Sequence, residues 1–355
     1  MTSPAAGSAP DRAPVEPRTV TRLLASGFGI VPTSVSQGPA GTATRNYVAT
    51  TDAGGAWFVK TYPAGTDVRT AESAAALSEY ARLCRVPAAR GHYTVGEERL
   101  VASGGGVTMS VTSYLHDTVT ADGRLTGARW EAVGETIGRL HRSLARHRFG
   151  PPRADGRDRA VDTVRARARL HDLVRRYEAD PPRTEFERWA LETARERLAG
   201  LPAVERLLER VPERMVSQLV HGDLSGPNVL LRGDRVAAVI DFAPPVRRGP
   251  VWELGRLALD PRTVLTRPDW PEGLGRLAAA YHRLHPTVPA DELTGVVRLT
   301  AAYLGCIVYP LNTVVDRIGP VTESLEAYAR ARVQAAAVLR ERLGEAEEVL
   351  RDHLR

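Results

Sequence analysis

The stretch Leu219-Val220-His221-Gly222-Asp223-Leu224-Ser225-Gly226-Pro227-Asn228-Val229-Leu230-Leu231 limits most strongly what this chain can build. Its apolar ends read as two short strands, and its polar centre reads as the loop that joins them. In that loop a carboxylate, Asp223, stands five residues before a carboxamide, Asn228. A third strand, Val236–Ile240, follows the turn Arg232-Gly233-Asp234, and a second carboxylate, Asp241, closes Val239-Ile240-Asp241-Phe242 thirteen residues after Asn228. A tight loop beside a hairpin can bring Asp223, Asn228 and Asp241 to one small site.

Those residue types suit one chemistry. Phosphoryl transfer to a hydroxyl needs a carboxylate that orients the hydroxyl or takes its proton, and hard oxygen ligands that hold Mg²⁺ against phosphates. Asp223 fits the first role, and Asn228 with Asp241 fits the second. A further residue points the same way. Of 48 basic side chains only Lys60 is a lysine. Lysine is a compact point charge and arginine a planar fork, so a lone lysine among arginines marks a position that a fork fills badly. Lys60 lies in Ala56-Trp57-Phe58-Val59-Lys60, which reads as a strand, the setting in which a lysine can reach the α- and β-phosphates of a nucleotide.

The order of elements predicts an α+β fold with two lobes. Residues 19–115 read as mostly β, with strands at 34–37, 45–51, 56–62, 100–102 and 107–114. The sequence Asp52-Ala53-Gly54-Gly55 predicts a hairpin. A short helix is expected at 19–26 and a long one from Asp67, as N-cap, to about Leu83, ahead of Pro87. From 126 the pattern turns helical: Trp130, Val133, Ile137, Leu140 and Leu144 recur at helix spacing. Two amphipathic helices follow at 156–178 and 184–212, then the β island of 216–240, then helices from 251 to the end. The expected organisation is a disordered arm at 1–18, a nucleotide-binding lobe at 19–115, and a helical lobe at 116–355 that carries the loop and a substrate cleft.

Composition narrows the partners. The chain is 43% apolar and 25% charged, ordinary for a globular protein. A net charge of +6 permits anionic partners, but basic and acidic residues are interspersed and no basic aromatic stripe appears, so nucleic acid is not an expected partner. The most apolar run, Leu299 to Tyr309, is too short to span a bilayer and reads as a buried core helix. The first eighteen residues lack the basic start and apolar run of a signal peptide. Cys84 and Cys306 have no metal or redox spacing and read as small apolar residues in a reducing, cytoplasmic setting.

Taken together, these pieces resemble the aminoglycoside phosphotransferase family, relatives of the choline kinases within the protein-kinase-like fold. The residues that carry the resemblance are the glycine-bearing strand–loop–strand Gln37-Gly38-Pro39-Ala40-Gly41-Thr42-Ala43-Thr44-Arg45-Asn46, the strand lysine Lys60, Ile137-Gly138-Arg139-Leu140-His141-Arg142-Ser143-Leu144, and the stretches 219–231 and 239–242. The resemblance implies a two-lobed kinase-like fold, with ATP (or GTP) and Mg²⁺ as cofactors. It implies Asp223 as the catalytic carboxylate, Asn228 and Asp241 as metal ligands, and Lys60 on the α/β-phosphates. Glu72 is the implied ion-pair partner of Lys60, with Glu79 as the alternative. Gly38, Gly41 and Thr42, in a loop that also carries Thr44, would lie over the phosphates. Ser113, Tyr114 and Leu115 would meet the adenine. His221 is expected to hold the loop by hydrogen bonding, and His141 to pack or lie at the surface.

The sequence departs from the family in three places. Phe242-Ala243-Pro244-Pro245 replaces the glycine turn of protein kinases, Ser225-Gly226-Pro227 replaces the commoner loop turn, and Trp252-Glu253-Leu254-Gly255 stands where an Asp-Leu-Ala is usual, so that Glu253 would replace a structural aspartate. The absence of an Ala-Pro-Glu segment after Asp241 argues for a small molecule rather than a protein as acceptor. Its expected place is a cleft between the helices at 128–212 and the C-terminal helices, with Trp252, Trp270, Tyr303 and Tyr309 as wall or as core. After Pro261 there are 12 Arg against 12 Asp plus Glu, and Val246-Arg247-Arg248-Gly249 is basic. This favours a neutral or anionic acceptor over a polycation. The Ala-, Arg-, Gly- and Pro-rich composition suggests an antibiotic-making source. The expected acceptor is therefore an antibiotic or other natural product, with a metabolite kinase or a silent nucleotide-binding protein as alternatives.

Overall fold

The computed structural model describes residues 16–39, 44–63, 65–157 and 160–355. The chain begins with α1 (Pro17–Phe28), then β1 (Ser34–Gln37), β2 (Arg45–Thr50), β3 (Ala56–Tyr62), α2 (Val68–Leu83), β4 (Val101–Gly104) and β5 (Val107–Ser113). The five strands form one antiparallel sheet in the order β1-β2-β3-β5-β4. The 52–55 hairpin forms as expected: Gly54 takes φ +76°, and Thr51 N–H donates to Gly55 O. Alternation along β2 and β3 turns Tyr47, Ala49 and Val59 inward, where they meet Met109 and Val111 of β5 and the apolar face of α1, Val20, Leu23, Leu24 and Phe28. Lys60, next to Val59, therefore stands on the other face of the sheet, away from α1. Residues 1–15, most of the expected arm, lie outside the described residues. The helix expected from 19 starts at Pro17, because a proline suits the first turn.

The second lobe holds β6 (Val119–Thr120), α3 (Arg129–Ala145), β7 (Arg153–Gly156), α4 (Thr163–Ala179), α5 (Glu185–Glu209), β8 (Arg214–Val220), β9 (Val229–Arg232), β10 (Arg235–Val239) and β11 (Val246–Arg248). These are followed by α6 (Pro250–Ala258), α7 (Pro261–Thr266), α8 (Trp270–Leu284), α9 (Ala290–Thr294), α10 (Val296–Cys306), α11 (Glu323–Glu341) and α12 (Leu343–His353). The β island is not one sheet. β9 pairs with β10 on one side and β6 on the other, while β8 runs between β11 and β7. β6, β7 and β11 are two to four residues long, too short for periodicity to reveal. The helix expected from 156 starts only at Thr163, after Asp162 caps it by accepting from Arg165 N–H. At α5, Thr184 and Glu187 form a reciprocal capping box.

The core of this lobe is built on α3 and α8. Trp130, Val133, Ile137, Leu140 and Leu144 are fully buried, as their spacing predicts. Gly134 and Gly138 let the two helices touch: a Cβ on Gly134 would lie 2.3 Å from Leu277 O, and one on Gly138 2.8 Å from Tyr281 O. The Leu299–Tyr309 run is largely α10, buried in this core, and among the described residues no helix is long and apolar enough to cross a membrane. The lobes are tied behind the cleft, where Val239 N–H donates to Pro87 O.

Candidate active site

The loop between β8 and β9 is shaped by two glycines. Gly222 has φ +93°, and a Cβ there would lie 2.5 Å from Ala243 Cβ. Gly226 opens a single 3₁₀ turn, Gly226–Asn228, and a Cβ on it would meet the Asp122 backbone at 2.7 Å. Hydrogen bonds then fix the loop. Asn228 Nδ2 donates to Asp223 O (2.8 Å), Asn228 N–H to Ser225 O, and Ile240 N–H to Asn228 O (2.9 Å), which joins the loop to β10. His221 Nε2 meets Ile240 O (2.9 Å), and Asp223 N–H donates to His221 Nδ1 (3.2 Å). A carbonyl can only accept and an amide N–H can only donate. The ring is therefore the neutral tautomer with its proton on Nε2 and no free lone pair. Burial pushes its pKa down, which agrees. His221 is a fixed part of the scaffold, as expected, and not a base.

Beneath the loop lies Glu253, fully buried on α6. Its carboxylate accepts from His221 N–H (3.1 Å), Gly222 N–H (2.6 Å) and His141 Nε2 (3.0 Å). Burial works to raise its pKa, but the hydrogen bond and charge of His141, with His221 and the Gly222 N–H, outweigh it, and the net shift is downward. His141 is completely buried, with Nδ1 against Tyr281 Oη (3.0 Å). Glu253 thus supports the loop from below in the position expected for a structural aspartate.

Asp223 and Asp241 stand above this support, about half exposed. Asp241 follows β10 with φ +61°, a backbone conformation costly for a residue with a Cβ. It forms an ion pair with Lys60 across the cleft between lobes, joining positions 181 apart in sequence. Asp223 Oδ1 is engaged by Arg256 Nη2 at 2.8 Å, and its Oδ2 makes no hydrogen bond to a described residue. Sequence reasoning missed Arg256. The available signal was its place three residues after Glu253 on one helix, which puts both on the face turned to the loop.

The expected Lys60–Glu72 pair does not form, and this corrects the sequence reading. Both Glu72 oxygens accept from Leu100 N–H (2.9 and 3.1 Å). Glu79, the alternative, pairs with Arg82 (2.6 Å) and accepts from Gly91 N–H (3.4 Å). The two carboxylates are seven residues apart, two helical turns. The same face of α2 serves the backbone leading into β4, whose N–H groups need acceptors. Lys60 finds Asp241 instead.

At the expected adenine segment, Ser113 N–H donates to Arg90 O and Tyr114 N–H to Ala56 O. The Leu115 N–H makes no hydrogen bond to a described residue. Gly38 N–H closes the β1–β2 hairpin on Asn46 O (2.8 Å), and Asn46 Nδ2 donates to Pro39 O (2.8 Å). Gly41 and Thr42 lie outside the described residues. Of the expected wall, Trp270 is wholly buried beneath Arg342 and belongs to the core. Trp252 and Tyr303 meet edge to face at 6.0 Å beside Arg256, near the loop.

The oxygens present suit a hard divalent cation. The carboxylate of Asp241 reaches solvent, and Asn228 has committed its amide nitrogen to Asp223 O, so its Oδ1 remains an acceptor. Among the described residues no three His, Cys, Asp or Glu side chains cluster as a metal centre. A two-oxygen set fits Mg²⁺, which usually keeps waters and substrate phosphates as its other ligands.

Comparison with known proteins bears on the fold and the family. The fold resembles a spectinomycin phosphotransferase in complex with ADP and spectinomycin (14% identity, TM-score 0.57, covering 96% of this chain and 99% of that one). It also resembles an aminoglycoside phosphotransferase from Alicyclobacillus acidocaldarius (16% identity, TM-score 0.60, 96% and 98%). A choline/ethanolamine kinase family protein from Mesorhizobium loti is similar too (18% identity, TM-score 0.58, 94% and 98%). No curated protein matches the chain in sequence. The model of the phosphotransferase enzyme family matches residues 34–292, most of the chain, including Lys60, the loop 221–228, Asp241, Glu253 and Arg256. The chain belongs to the phosphotransferase enzyme family and is a small-molecule kinase.

Proposed function

We propose that this enzyme transfers the γ-phosphoryl group of ATP to a hydroxyl of a small natural product, with Asp223 as the catalytic carboxylate. The observation that carries the reading is the convergence of Lys60 and Asp241 across the cleft, beside the loop that presents Asp223 and Asn228. Lys60 binds the α/β-phosphates, and the Leu115 N–H serves the adenine edge. Gly38, Gly41 and Thr42 would serve the phosphates. Asn228 and Asp241 would hold Mg²⁺, which offsets phosphate charge when bound. Glu72 acts on this arrangement only indirectly, by holding the backbone at Leu100.

Asp223 Oδ2 accepts the acceptor's O–H and sets its oxygen in line with the γ-phosphorus, while Arg256 fixes the other carboxylate oxygen. The new P–O bond forms as the bond to ADP breaks, and the hydroxyl proton leaves by way of Asp223. Little covalent chemistry is asked of the protein, because the transition state is loose and positioning dominates. Arg256 and Arg248 flank the path to Asp223 and disfavour a polycation, so the acceptor is neutral or anionic. Modification of an antibiotic in its producing cytoplasm is the reading the composition favours.

The test is a mass-spectrometric screen. The protein is incubated with Mg²⁺-ATP and a library of antibiotics, nucleosides, sugars and amino alcohols, with Asp223→Asn as control. One compound should gain a phosphoryl mass with the wild type only. Phosphorylation of homoserine, choline or a sugar alone would replace the natural product by a primary metabolite. Nucleotide binding without any acceptor turnover across the library would favour a silent binding protein.

A further inference from the structure

We infer that the acceptor cleft contains an anion subsite centred on Arg332, so that the acceptor carries a carboxylate or phosphate as well as its reactive hydroxyl. This deepens the kinase reading and rests on it.

Arg332 lies on α11 and is 95% buried. It makes no ion pair and no hydrogen bond to any described residue, and its Nε is shut off from water with no partner. A guanidinium is a five-donor fork that cannot give up its proton, so burying one unpaired is unfavourable unless something else completes it. Its neighbours are two aromatic rings, Tyr303 (5.8 Å to the centroid) and Tyr328 (5.6 Å). Ring faces attract the cation but supply no hydrogen-bond acceptor in the plane of the fork.

No carboxylate among the described residues pairs with Arg332. The charges of Arg332 and Arg256 both act on the Asp260 carboxylate. It stands beyond ion-pair distance of both, and accepts instead from Arg262 N–H (2.9 Å) at the start of α7. Burial raises the Asp260 pKa, which makes it a poor counter-ion. On the other side, burial and then the charge of Arg332 push Arg197 down to about 10. An unpaired guanidinium whose charge is felt by a second one calls for an anion.

The subsite connects directly to the reaction centre. Arg256, over the Trp252 ring at 4.8 Å, holds Asp223. Trp252 meets Tyr303, and Tyr303 lies against Arg332. A small acceptor laid along this aromatic floor would have its hydroxyl at Asp223 and its anionic group at the Arg332 fork. Planar bidentate recognition is what arginine does better than lysine.

The test uses matched acceptors on the full-length enzyme: sugars against sugar monophosphates, nucleosides against nucleoside monophosphates, and amino alcohols against hydroxy acids. The anionic member should win in kcat/KM. Arg332→Gln should raise its KM roughly 10- to 100-fold, as for a lost hydrogen-bonded charge. It should move kcat less and leave the KM for ATP unchanged, and Arg332→Lys should recover part of the loss. Preference for the neutral member, or an acceptor KM unmoved in Arg332→Gln, overturns the subsite. The kinase reading survives that result, since turnover lost in Asp223→Asn is still seen. If no acceptor turns over, calorimetry with inorganic phosphate in excess Mg²⁺-ADP decides. Phosphate binding abolished by Arg332→Gln supports the subsite, and no phosphate binding to the wild type overturns it. Failure to bind ADP in the same titration counts against the kinase reading instead. If Arg332→Gln and Arg332→Lys both fail to fold, Arg332 is a structural residue and the inference falls.

Discussion

The two sides of the cleft are built differently. Below it, the loop 221–228 rests on Glu253, His141 and His221, all fully buried, and each polar atom described there has a fixed partner. Above it, Lys60 meets Asp241 in a partly exposed ion pair, and the carboxylates of α2 serve the backbone rather than the cleft. A buried network with every donor matched holds a single geometry, because any alternative leaves a polar group unpaired. An exposed ion pair is worth little and exchanges readily. The lower side therefore sets where the acceptor hydroxyl sits, and the upper side can rearrange around a nucleotide.

Asp223→Asn should break the comparison most sharply. The change keeps shape and removes the proton acceptor, so kcat falls by about 10²–10⁴-fold while nucleotide affinity holds. Steady-state kinetics with calorimetry for ADP measures both. Loss of ADP affinity would mean that Asp223 belongs to the nucleotide side. Glu253→Gln comes next. It turns an NH₂ group towards N–H donors and removes a buried charge from His141, so stability falls by roughly 3–5 kcal/mol in urea denaturation. A loss below about 1 kcal/mol is what an exposed pair would give, and it would mean that the lower network does not hold the loop.

A pH series probes the lower lobe alone. Burial holds His285, bonded to Gln218 Oε1 (2.9 Å), at a pKa of about 3 against an ordinary 6.5. Above pH 6.5 both folded and unfolded chains carry it neutral, and its contribution is complete. As pH falls below 6.5 the unfolded chain takes up a proton that the folded one refuses, so stability declines until the folded histidine titrates near 3. His221 acts in the same direction. Glu292, raised to about 7 chiefly by burial, acts oppositely: its contribution is present below 4.5 and lost as pH rises through 7. The clean readout is therefore the difference between wild type and His285→Gln. That difference should be greatest near neutrality and shrink by about 1.4 kcal/mol for each pH unit below 6.5. A flat difference would mean that His285 is charged in the folded state.

Lys60→Arg tests the upper side directly. Charge is kept but the compact head is lost, so kcat/KM for ATP should drop roughly tenfold. An unchanged value would show that the lone lysine carries no special role.

The loop, the second carboxylate and the lysine were legible in the sequence because each is local. Asp223, Asn228 and Asp241 keep fixed spacings between apolar strands, and Lys60 sits in a recognisable strand. Partnerships between distant segments were not legible. Arg256 reaches Asp223 from another helix, and Arg332 meets Tyr303 and Tyr328 only through tertiary packing. β6, β7 and β11 exist because longer strands beside them present unpaired edges, not because two to four residues prefer to be extended.

Glu72 gives the smallest effect and the finest division between the two sides. Its spacing from Lys60 suggested an ion pair, yet its oxygens hold Leu100 N–H at the entry to β4. If that is its task, Glu72→Gln keeps one acceptor oxygen for the N–H, costs about 0.5–1 kcal/mol of stability, and leaves the KM for ATP unchanged. A rise in that KM to match Lys60→Arg would mean that Lys60 exchanges Asp241 for Glu72 when nucleotide binds. The upper side would then be a two-position switch with α2 as one of its stops. An unchanged KM together with a small stability loss keeps Glu72 as a backbone clamp and leaves Lys60 answerable to Asp241 and the phosphates alone.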